Sequence, residues 1–351
     1  MDAEGRAEES RDVMGGRRLV CIGLFLSLGC SSDRPGPSDA GPPDAATVLW
    51  KNVPGGQNGV VLSALDAGAW FLAPDGTSLV WASASGIFET DRSTGATRQL
   101  VFRESIFDGP IAVVVDEAGI YWTASDDVVR RRDPSSGAVT VLAATANDTA
   151  ALAVSGGLLF IGDATGVTIR PTDGGAPLLS FDVGGKVFTL AVDGSDGFAS
   201  VLPSGGGFDF DIVRFDLSGD AGLIAQAQPS AQVIIGMDES HVYWGTGERY
   251  GDGGALVRAP RAGGATETLT SLDLPVAAGT VDGPRVYFST FPGALQGAPV
   301  PPQALYRYET TTSSTTLLAT DLFYVLEVVT TPEGLYFTEE GRRLDRIVPR
   351  P

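Results

Sequence analysis

Short apolar segments that alternate with polar residues recur along most of the chain and predict β-strands. Residues 119–137 show the pattern: an apolar strand with aromatic residues, a turn at 125–127, a second strand, and a turn rich in Pro, Ser and Gly. Alternation of this kind, bounded by turn residues, is typical of half-buried strands. Variants of the stretch begin at Leu79, Leu158, Val242, Val286 and Leu335.

The stretch repeats with a period of about 40 residues. Alignment on the aromatic strand gives seven equivalent positions, spaced by 41, 38, 40, 44, 44 and 49 residues: Trp81, Trp122, Phe160, Ser200, Trp244, Phe288 and Phe337. Four short strands, A to D, fit within each repeat. A period of 40–45 residues with turns between short strands is typical of propeller blades. We therefore predict an all-β fold, a seven-bladed β-propeller of four-stranded blades that spans residues 47–351.

Strand A is small and β-branched in most repeats, as strands around a central axis must be. An acidic residue follows it at a recurrent offset, at Asp75, Asp116, Asp193, Asp238 and Asp282. An Asp side chain can accept a hydrogen bond from the backbone two residues on, so we expect these residues to stabilise the A–B hairpin. Metal binding is the alternative.

Strand C repeats an apolar-x-Arg pattern that ends at Arg131, Arg214, Arg258, Arg307 and Arg346. The aliphatic part of Arg can cover apolar surface while its guanidinium pairs with an acid. We expect packing within the repeat, because a ligand site rarely needs the same group in every blade. A ring of binding arginines is the alternative.

The seventh repeat supplies strands A, B and C and then ends without a strand D. Upstream of the first repeat, residues 47–52 read as an unassigned strand D. We therefore predict that this N-terminal strand completes the seventh blade and closes the ring, which removes an unpaired edge.

Tyr121-Trp-Thr with its downstream Val-x-Arg, and the similar runs that begin at Tyr243 and Tyr287, resemble the YWTD-type propellers and their bacterial relatives. Ala124 and Thr246 stand where that family has its Asp. The resemblance implies the architecture, and we do not transfer the receptor function.

The N-terminal region has the layout of an export signal. Residues 14–29 combine Arg17 and Arg18 with eleven apolar or small residues. Eleven helical residues span roughly 17 Å, too short for a hydrocarbon core of about 30 Å, so we predict a signal peptide. Residues 1–13 are acidic and read as a start-site extension, and residues 30–46 as a disordered tether.

The segment that ends at Cys30 resembles the lipobox of bacterial lipoproteins, which implies that Cys30 is lipidated. The alternatives are a simple secretory peptide and a buried apolar strand.

The net charge of −19 constrains the partners of the protein. Lys51 and Lys186 are the only lysines, and no cluster of positive charge could neutralise a run of phosphates, which argues against nucleic-acid binding. Repulsion from anionic headgroups leaves the lipid anchor as the only expected membrane contact. Both cysteines lie in the first thirty residues, so the body must be held by packing. We expect a monomer.

His241 is the only histidine, so a metal site of two histidines is excluded. It opens a strand B after the A–B turn, and we interpret it as a hairpin residue. The glycine-rich runs lack the Lys-Ser/Thr of a phosphate-binding loop and read as turns.

The B–C connection is long in repeats four, five and six, at 203–211, 247–254 and 291–302. These loops emerge on one face of a propeller, and we call the surface they form the lip. The candidate binding residues of the lip are Phe208, Asp209, Phe210, Asp211, Glu248, Tyr250, Asp252 and Phe291. Long loops on a rigid scaffold often carry function, and tolerated insertion is the alternative. No cofactor is predicted, although carboxylates of this kind could hold Ca²⁺.

Together these features predict an exported, membrane-anchored lipoprotein that faces the periplasm or the cell surface. Its propeller would be a binding or scaffolding module for an envelope protein or glycan. The alternatives are a propeller hydrolase or lyase that uses carboxylates in the central funnel, and a purely structural envelope component.

Overall fold

The computed structural model describes residues 58–64, 71–83, 85–102, 110–146, 151–205, 207–230, 233–247, 253–291, 303–322, 325–339 and 343–348. Within these ranges the secondary structure consists of 28 β-strands. Cys30, the signal sequence and the tether lie outside the described residues.

Each blade takes four strands that are consecutive in the chain, except the seventh. The strands of blades one to three are β2 (Phe71–Asp75), β3 (Ser78–Ser83), β4 (Gly86–Asp91) and β5 (Thr97–Phe102); β6 (Pro110–Asp116), β7 (Gly119–Ala124), β8 (Val128–Arg132) and β9 (Val139–Ala144); and β10 (Ala151–Ser155), β11 (Leu158–Asp163), β12 (Gly166–Pro171) and β13 (Leu179–Phe181). Blades four and five contain β14 (Gly185–Asp193), β15 (Asp196–Pro203), β16 (Asp209–Asp216) and β17 (Ala221–Pro229); and β18 (Val233–Met237), β19 (His241–Gly247), β20 (Gly254–Pro260) and β21 (Glu267–Leu272). Blades six and seven contain β22 (Val276–Asp282), β23 (Arg285–Thr290), β24 (Gln303–Glu309) and β25 (Ser314–Leu322); and β26 (Val325–Thr331), β27 (Gly334–Glu339), β28 (Arg343–Val348) and β1 (Asn58–Ala64).

The strands form seven four-stranded antiparallel sheets. Six are ordered as in the chain from the innermost strand outwards, and the seventh is ordered β26, β27, β28 and β1. The first strands contact one another in sequence, from β2 through β6, β10, β14, β18 and β22 to β26, and β26 contacts β2 again. The prediction of an all-β propeller of four-stranded blades is therefore confirmed.

An N-terminal strand closes the ring, but it is not the segment predicted from the sequence. Strand β1 pairs with β28, from Asn58 opposite Val348 to Ala64 opposite Arg343. The assignment to residues 47–52, which lie outside the described part, was wrong. The reason is the length of the connection to strand A: six residues, 65–70, join β1 to β2, as many as the six residues, 145–150, between β9 and β10. A strand that ended at residue 52 would leave eighteen residues before β2, from 53 to 70.

Strand B holds neighbouring blades together through adjacent aromatic residues that face opposite ways. Trp122 packs with Val80 and other residues of blade one, whereas Tyr121 packs with Leu159 and other residues of blade three. Both side chains are fully buried. Successive side chains of a strand point to opposite faces of the sheet, so one aromatic pair fills two blade interfaces.

The register corrects the sequence alignment in blades three and four. Ile161 and Ala199, not Phe160 and Ser200, stand three residues after the A–B hairpin, as Trp122 does. Phe160 faces blade four instead. In blade three the sequence alignment chose Phe160 because it is a large residue next to the correct position. In blade four it missed that a small residue, Ala199, occupies the position that Trp122 has in blade two.

The Asp residues of the A–B turns act as predicted where the structure shows their bonds. Asp116 Oδ1 accepts hydrogen bonds from the backbone of Ala118 at 2.9 Å and of Gly119 at 3.1 Å. Asp238 Oδ1 accepts from Ser240 and His241, both at 2.7 Å. These carboxylates satisfy backbone donors of the hairpin.

The C–D turns use the same device, which the sequence interpretation overlooked. Asp91 accepts from the backbone of Ser93 and Thr94. Hydrogen bonds from the Ser93 hydroxyl and from the Thr94 backbone and hydroxyl lower the pKa of Asp91 to about 2. The sequence carries the signal for this turn, since Asp91 is followed at short distance by Ser93, Thr94 and Gly95.

The position of β1 predicts how truncation affects stability. A chain that begins at Val53 keeps β1 and should melt within about 1 °C of one that begins at Ala46. A chain that begins at Asp66 loses the β1–β28 ladder and should melt about 5–10 °C lower, since each ladder bond contributes roughly 0.5–1.5 kcal/mol. Differential scanning calorimetry of the three chains tests this. Equal melting temperatures for the Val53 and Asp66 chains would show that β1 does not close the ring.

Candidate functional site

The structure describes five of the eight candidate residues of the lip. Phe208, Asp209, Phe210, Asp211 and Phe291 lie in described segments, whereas Glu248, Tyr250 and Asp252 lie outside them. The first lip loop is shorter than the sequence suggested, because β15 continues to Pro203 and β16 begins at Asp209.

Two phenylalanines of blade four, assigned together from the sequence, have different environments. Phe208 precedes β16 and is 46% exposed, whereas Phe210 lies within β16 and is 1% exposed. The Phe210 ring makes an edge-to-face contact with Phe188, with the ring centroids 4.8 Å apart. Phe210 is therefore a core residue and not a surface residue of the lip, contrary to the prediction. The strand extends further than the Gly-rich loop indicated, so Phe210 falls on its buried face.

A cation borders the same aromatic pair. The Lys186 Nζ lies 5.5 Å from the centroid of the Phe188 ring. Lys186 stands near the start of β14, the innermost strand of blade four, opposite Leu202. One of the two lysines of the chain is thus placed at the lip end of the central channel.

Asp211 holds the backbone of the outer strand. Its Oδ1 accepts a hydrogen bond from the Ala227 backbone at 2.9 Å, and Ala227 has a φ of 49°. Ser230, with a φ of 43°, donates its backbone N–H to the Phe208 carbonyl at 3.0 Å. Non-glycine residues rarely adopt positive φ, and such strain persists only where the surroundings enforce it. The ends of β16 and β17 beside the lip are therefore held together by hydrogen bonds, with Phe208 and the exposed Asp209 at this end.

The other two lip loops begin beside the same short connection. A Cβ atom on Gly247 would lie 2.3 Å from the Pro275 Cβ, and one on Gly254 would lie 2.6 Å from the Leu274 carbonyl oxygen. The Phe291 backbone donates to the Pro275 carbonyl at 2.7 Å. Glycine at both ends of the blade-five loop thus permits close packing on residues 274 and 275. The structure brings the bases of the second and third lip loops together.

His241 is a hairpin residue, as predicted. Its Nδ1 is 2.8 Å from the Ser240 hydroxyl, and its backbone N–H donates to Asp238. Asp238 also accepts from the Tyr243 hydroxyl at 2.6 Å, and burial together with this carboxylate raises the pKa of Tyr243 to about 12. Strand B runs from the A–B turn to the B–C loop, so His241 lies on the face opposite the lip.

The strand C arginines pair with nearby acceptors, as expected for packing. Arg131 Nη2 donates to the Ala118 carbonyl at 2.7 Å, Arg214 Nη2 to Asp196 at 2.8 Å, and Arg258 Nε to Glu267 at 2.8 Å. The sequence interpretation did not identify two arginines that follow strand C and bridge blades. Arg261 of blade five binds Asp193 and Asp196 of blade four, and Arg92 of blade one binds Glu333 of blade seven.

In the part of the chain that the structure describes, no three residues among His, Cys, Asp and Glu converge as a metal site would require. The same part contains no helix long and apolar enough to cross a membrane.

Comparison with known proteins yields a fold and no family. No family model matches the chain, and no curated protein matches its sequence. Among solved structures, virginiamycin B lyase from Staphylococcus aureus is similar over 83% of this chain and 98% of its own, with 12% identity and a TM-score of 0.65. BamB from Moraxella catarrhalis is similar over 80% and 82%, with 16% identity and a TM-score of 0.53.

A third similar structure is PorZ, a bacterial surface component of the type-IX secretion system of Porphyromonas gingivalis. The similarity covers 82% of this chain and 37% of PorZ, with 12% identity and a TM-score of 0.58. At these identities the three likenesses show that the chain has the propeller fold. They carry no activity or partner over to it.

The two phenylalanines of blade four predict a clear difference in stability. Phe210→Ala should lower the free energy of unfolding by about 3–5 kcal/mol, because it leaves a cavity against Phe188. Phe208→Ala, the matched control on the surface, should change it by less than about 0.5 kcal/mol. Urea unfolding followed by tryptophan fluorescence measures both. Similar losses for the two variants would contradict the placement of Phe210 in the core and Phe208 at the surface.

Proposed function

We propose that the protein is an exported lipoprotein that presents its propeller as a binding module, with the lip as the contact surface for an envelope protein. The observation that carries this proposal is Phe208, an aromatic residue that is 46% exposed at the hydrogen-bonded ends of β16 and β17. The large aromatic residues of the strand B pairs are buried. Rigid exposed aromatic side chains provide a large contact area at a low cost in conformational entropy.

The surroundings of Phe208 favour a partner with apolar and cationic groups. Asp209 is exposed next to it, and the chain carries a net charge of −19. Charge of one sign on a surface steers partners of the opposite sign and favours rapid association. The bases of the other two lip loops lie together at Pro275, so a partner that engages one of these loops is close to the other.

Export and anchoring rest on the N-terminal sequence. The basic and apolar residues of 14–29 precede Cys30, and residues 31–46 would serve as a tether. The acidic body would be repelled by anionic headgroups, so the lipid at Cys30 would be the attachment to the membrane. Glycan binding remains an alternative for the lip.

An enzymatic role is the second candidate, and the likeness to virginiamycin B lyase is the observation that favours it. That likeness is in fold alone. A carboxylate mechanism needs free acids in the funnel, and Asp211 already holds the Ala227 backbone with one oxygen. Binding of a divalent metal at the mouth of the channel would favour the enzyme over the binding module.

The lipid anchor predicts where the protein is found after cell fractionation. The wild-type chain should sediment with membranes, and Cys30→Ala should move it to the soluble exported fraction, because it removes the acylated residue. Immunoblots of the fractions measure the distribution, with Cys21→Ala as the matched control that should remain in the membrane. A wild-type protein that is cytosolic and unprocessed would contradict the proposal.

The lip predicts a site-specific contact in living cells. A photo-crosslinking amino acid at Phe208 should capture a discrete envelope protein, because this side chain projects from the lip. The same amino acid at Leu178, which is 64% exposed, should not capture it, since Leu178 follows a C–D turn on the opposite face.

The crosslinking experiment also separates the candidate functions. Loss of the product upon Asp209→Asn would indicate that the acidic residue takes part in recognition. Equal capture from positions 208 and 178 would contradict a binding surface at the lip, and a glycan product would select the alternative partner class.

A further inference from the structure

The chain crosses the seam between blades seven and one only through residues 65–70, and the strand β1 that precedes them is held in blade seven by hydrogen bonds to β28. Three described features hold this seam. Strand β1 pairs with β28, Arg92 binds Glu333, and Trp81 and Leu72 of blade one pack against Tyr336 of blade seven. The innermost strands of the two blades, β26 and β2, also contact each other across the seam.

A carboxyl group lies in this seam. Glu327 of β26 is opposite Thr338 of β27, directly after a bulge between Val325 and Glu327. Thr338 is two residues from Tyr336, so both side chains point towards blade one. Glu327 stands on the same face of β26 as Val329, which packs against the cluster formed by Trp81 and Tyr336. The carboxyl group therefore faces the inner strand of blade one.

The equivalent positions of other blades carry no charge. Ala112, Thr189 and Ala278 follow bulges at the same place in strands β6, β14 and β22. The Thr189 hydroxyl accepts a hydrogen bond at 3.0 Å from the backbone of Ile234, in the innermost strand of the following blade. This bond shows where a side chain at this position points. At the seam between blades seven and one, the same place holds an acid.

The environment of Glu327 disfavours the ionised form. The side chain is half-buried and lies deep within the ring, and burial raises its pKa to about 8, against a weaker opposing effect of the Val328 backbone N–H. Thr338 is fully buried, and its hydroxyl has no hydrogen-bond partner among the described residues.

The charged groups on the described strands that pack against β26 lie elsewhere. Asp75 of β2, Asp282 of β22 and Arg285 of β23 lie at or next to the A–B turns, at the opposite end of the strands. Glu339 of β27 is opposite Val325, on the face towards blade six. Ionisation of Glu327 would thus place a charge between two packed strands, and a charge in such a place is costly to desolvate.

We propose that Glu327 makes the closure seam a pH-sensitive latch. With a neutral carboxyl group, β26 packs on β2 and the ring is closed. Ionisation weakens this packing, and the seam opens locally while the other blade interfaces remain intact. The latch is a property of the fold and is independent of the proposed binding role of the lip.

The pH range follows from the direction of the shift. An acid whose pKa is higher in the folded protein than the ordinary 4.5 binds its proton more tightly in the folded state. The stability that it contributes is complete below about pH 4.5 and is lost as the pH rises through about 8. The seam should therefore be closed in mildly acidic solution and loosened in alkaline solution.

Hydrogen exchange of the full chain, measured by mass spectrometry at pH 6.5 and pH 9, tests the proposal. Exchange times are scaled for the effect of pH on the intrinsic rate of amide exchange. Strand β10 provides the internal reference, because the blades on either side of it carry no acid at the position equivalent to Glu327. Protection of β2 and β26 should fall about tenfold or more relative to β10. In Glu327→Gln, which keeps the shape of the neutral acid, the three strands should respond alike. Glu117→Gln, the same change of charge in an exposed turn, should behave as wild type.

The wild-type comparison needs no variant, so it decides the matter even if Glu327→Gln folds poorly. A parallel change in β2, β26 and β10 of the wild type would overturn the latch. A selective loss that persists in Glu327→Gln would also overturn it, because another group would then be responsible.

Discussion

Packing between blades is the interaction on which the rest of the structure depends. A single four-stranded sheet has two faces to bury, and each blade has one neighbour on either side. Adjacent residues of strand B solve this problem because they point to opposite faces, as Trp122 and Tyr121 do in blade two. A strand that carries only one large residue fills one interface and leaves the other to its neighbours. In blade four, where Ala199 takes the tryptophan position, Phe215 and Phe160 fill the interface with blade three.

Polar bonds at the turns fix the orientation that this packing requires. Asp116 and Asp238 hold the A–B hairpins through backbone donors and also accept from the hydroxyl groups of Tyr121 and Tyr243. Bridges such as that of Arg261 to blade four then tie one blade to the next. These bonds concentrate on the face that carries the A–B and C–D turns. The opposite face is therefore freer to carry loops of different length, which is where blades four to six place the lip.

The sequence predicted the features that every repeat must share. Period, strand order and the hairpin Asp residues follow from steric and hydrogen-bonding needs that recur in each blade. Features that depend on a single site were not predictable. Phe210 is buried because β16 is extended, and its Asp-rich, Gly-flanked sequence looks like a loop. Arg92 finds Glu333 only because the ring brings the first and last blades together, and no local pattern links residues 241 positions apart. The acid at Glu327 becomes unusual only when the register aligns it with Ala112, Thr189 and Ala278.

The closure seam differs physically from the other blade interfaces, and the difference follows from the path of the chain. Every other pair of neighbouring blades is joined by a connection from strand D to strand A, so separation of those blades is limited by covalent bonds. Blades seven and one are joined by residues 65–70 only through β1, which is itself held in blade seven by hydrogen bonds to β28. Once the hydrogen bonds between β1 and β28 break, the two blades at the seam can separate without strain on a covalent connection. An ionisable group therefore has a larger effect at the seam than elsewhere. The free-energy cost of its desolvated charge is set against the free energy of opening one interface locally, and not against the free energy of unfolding the whole ring.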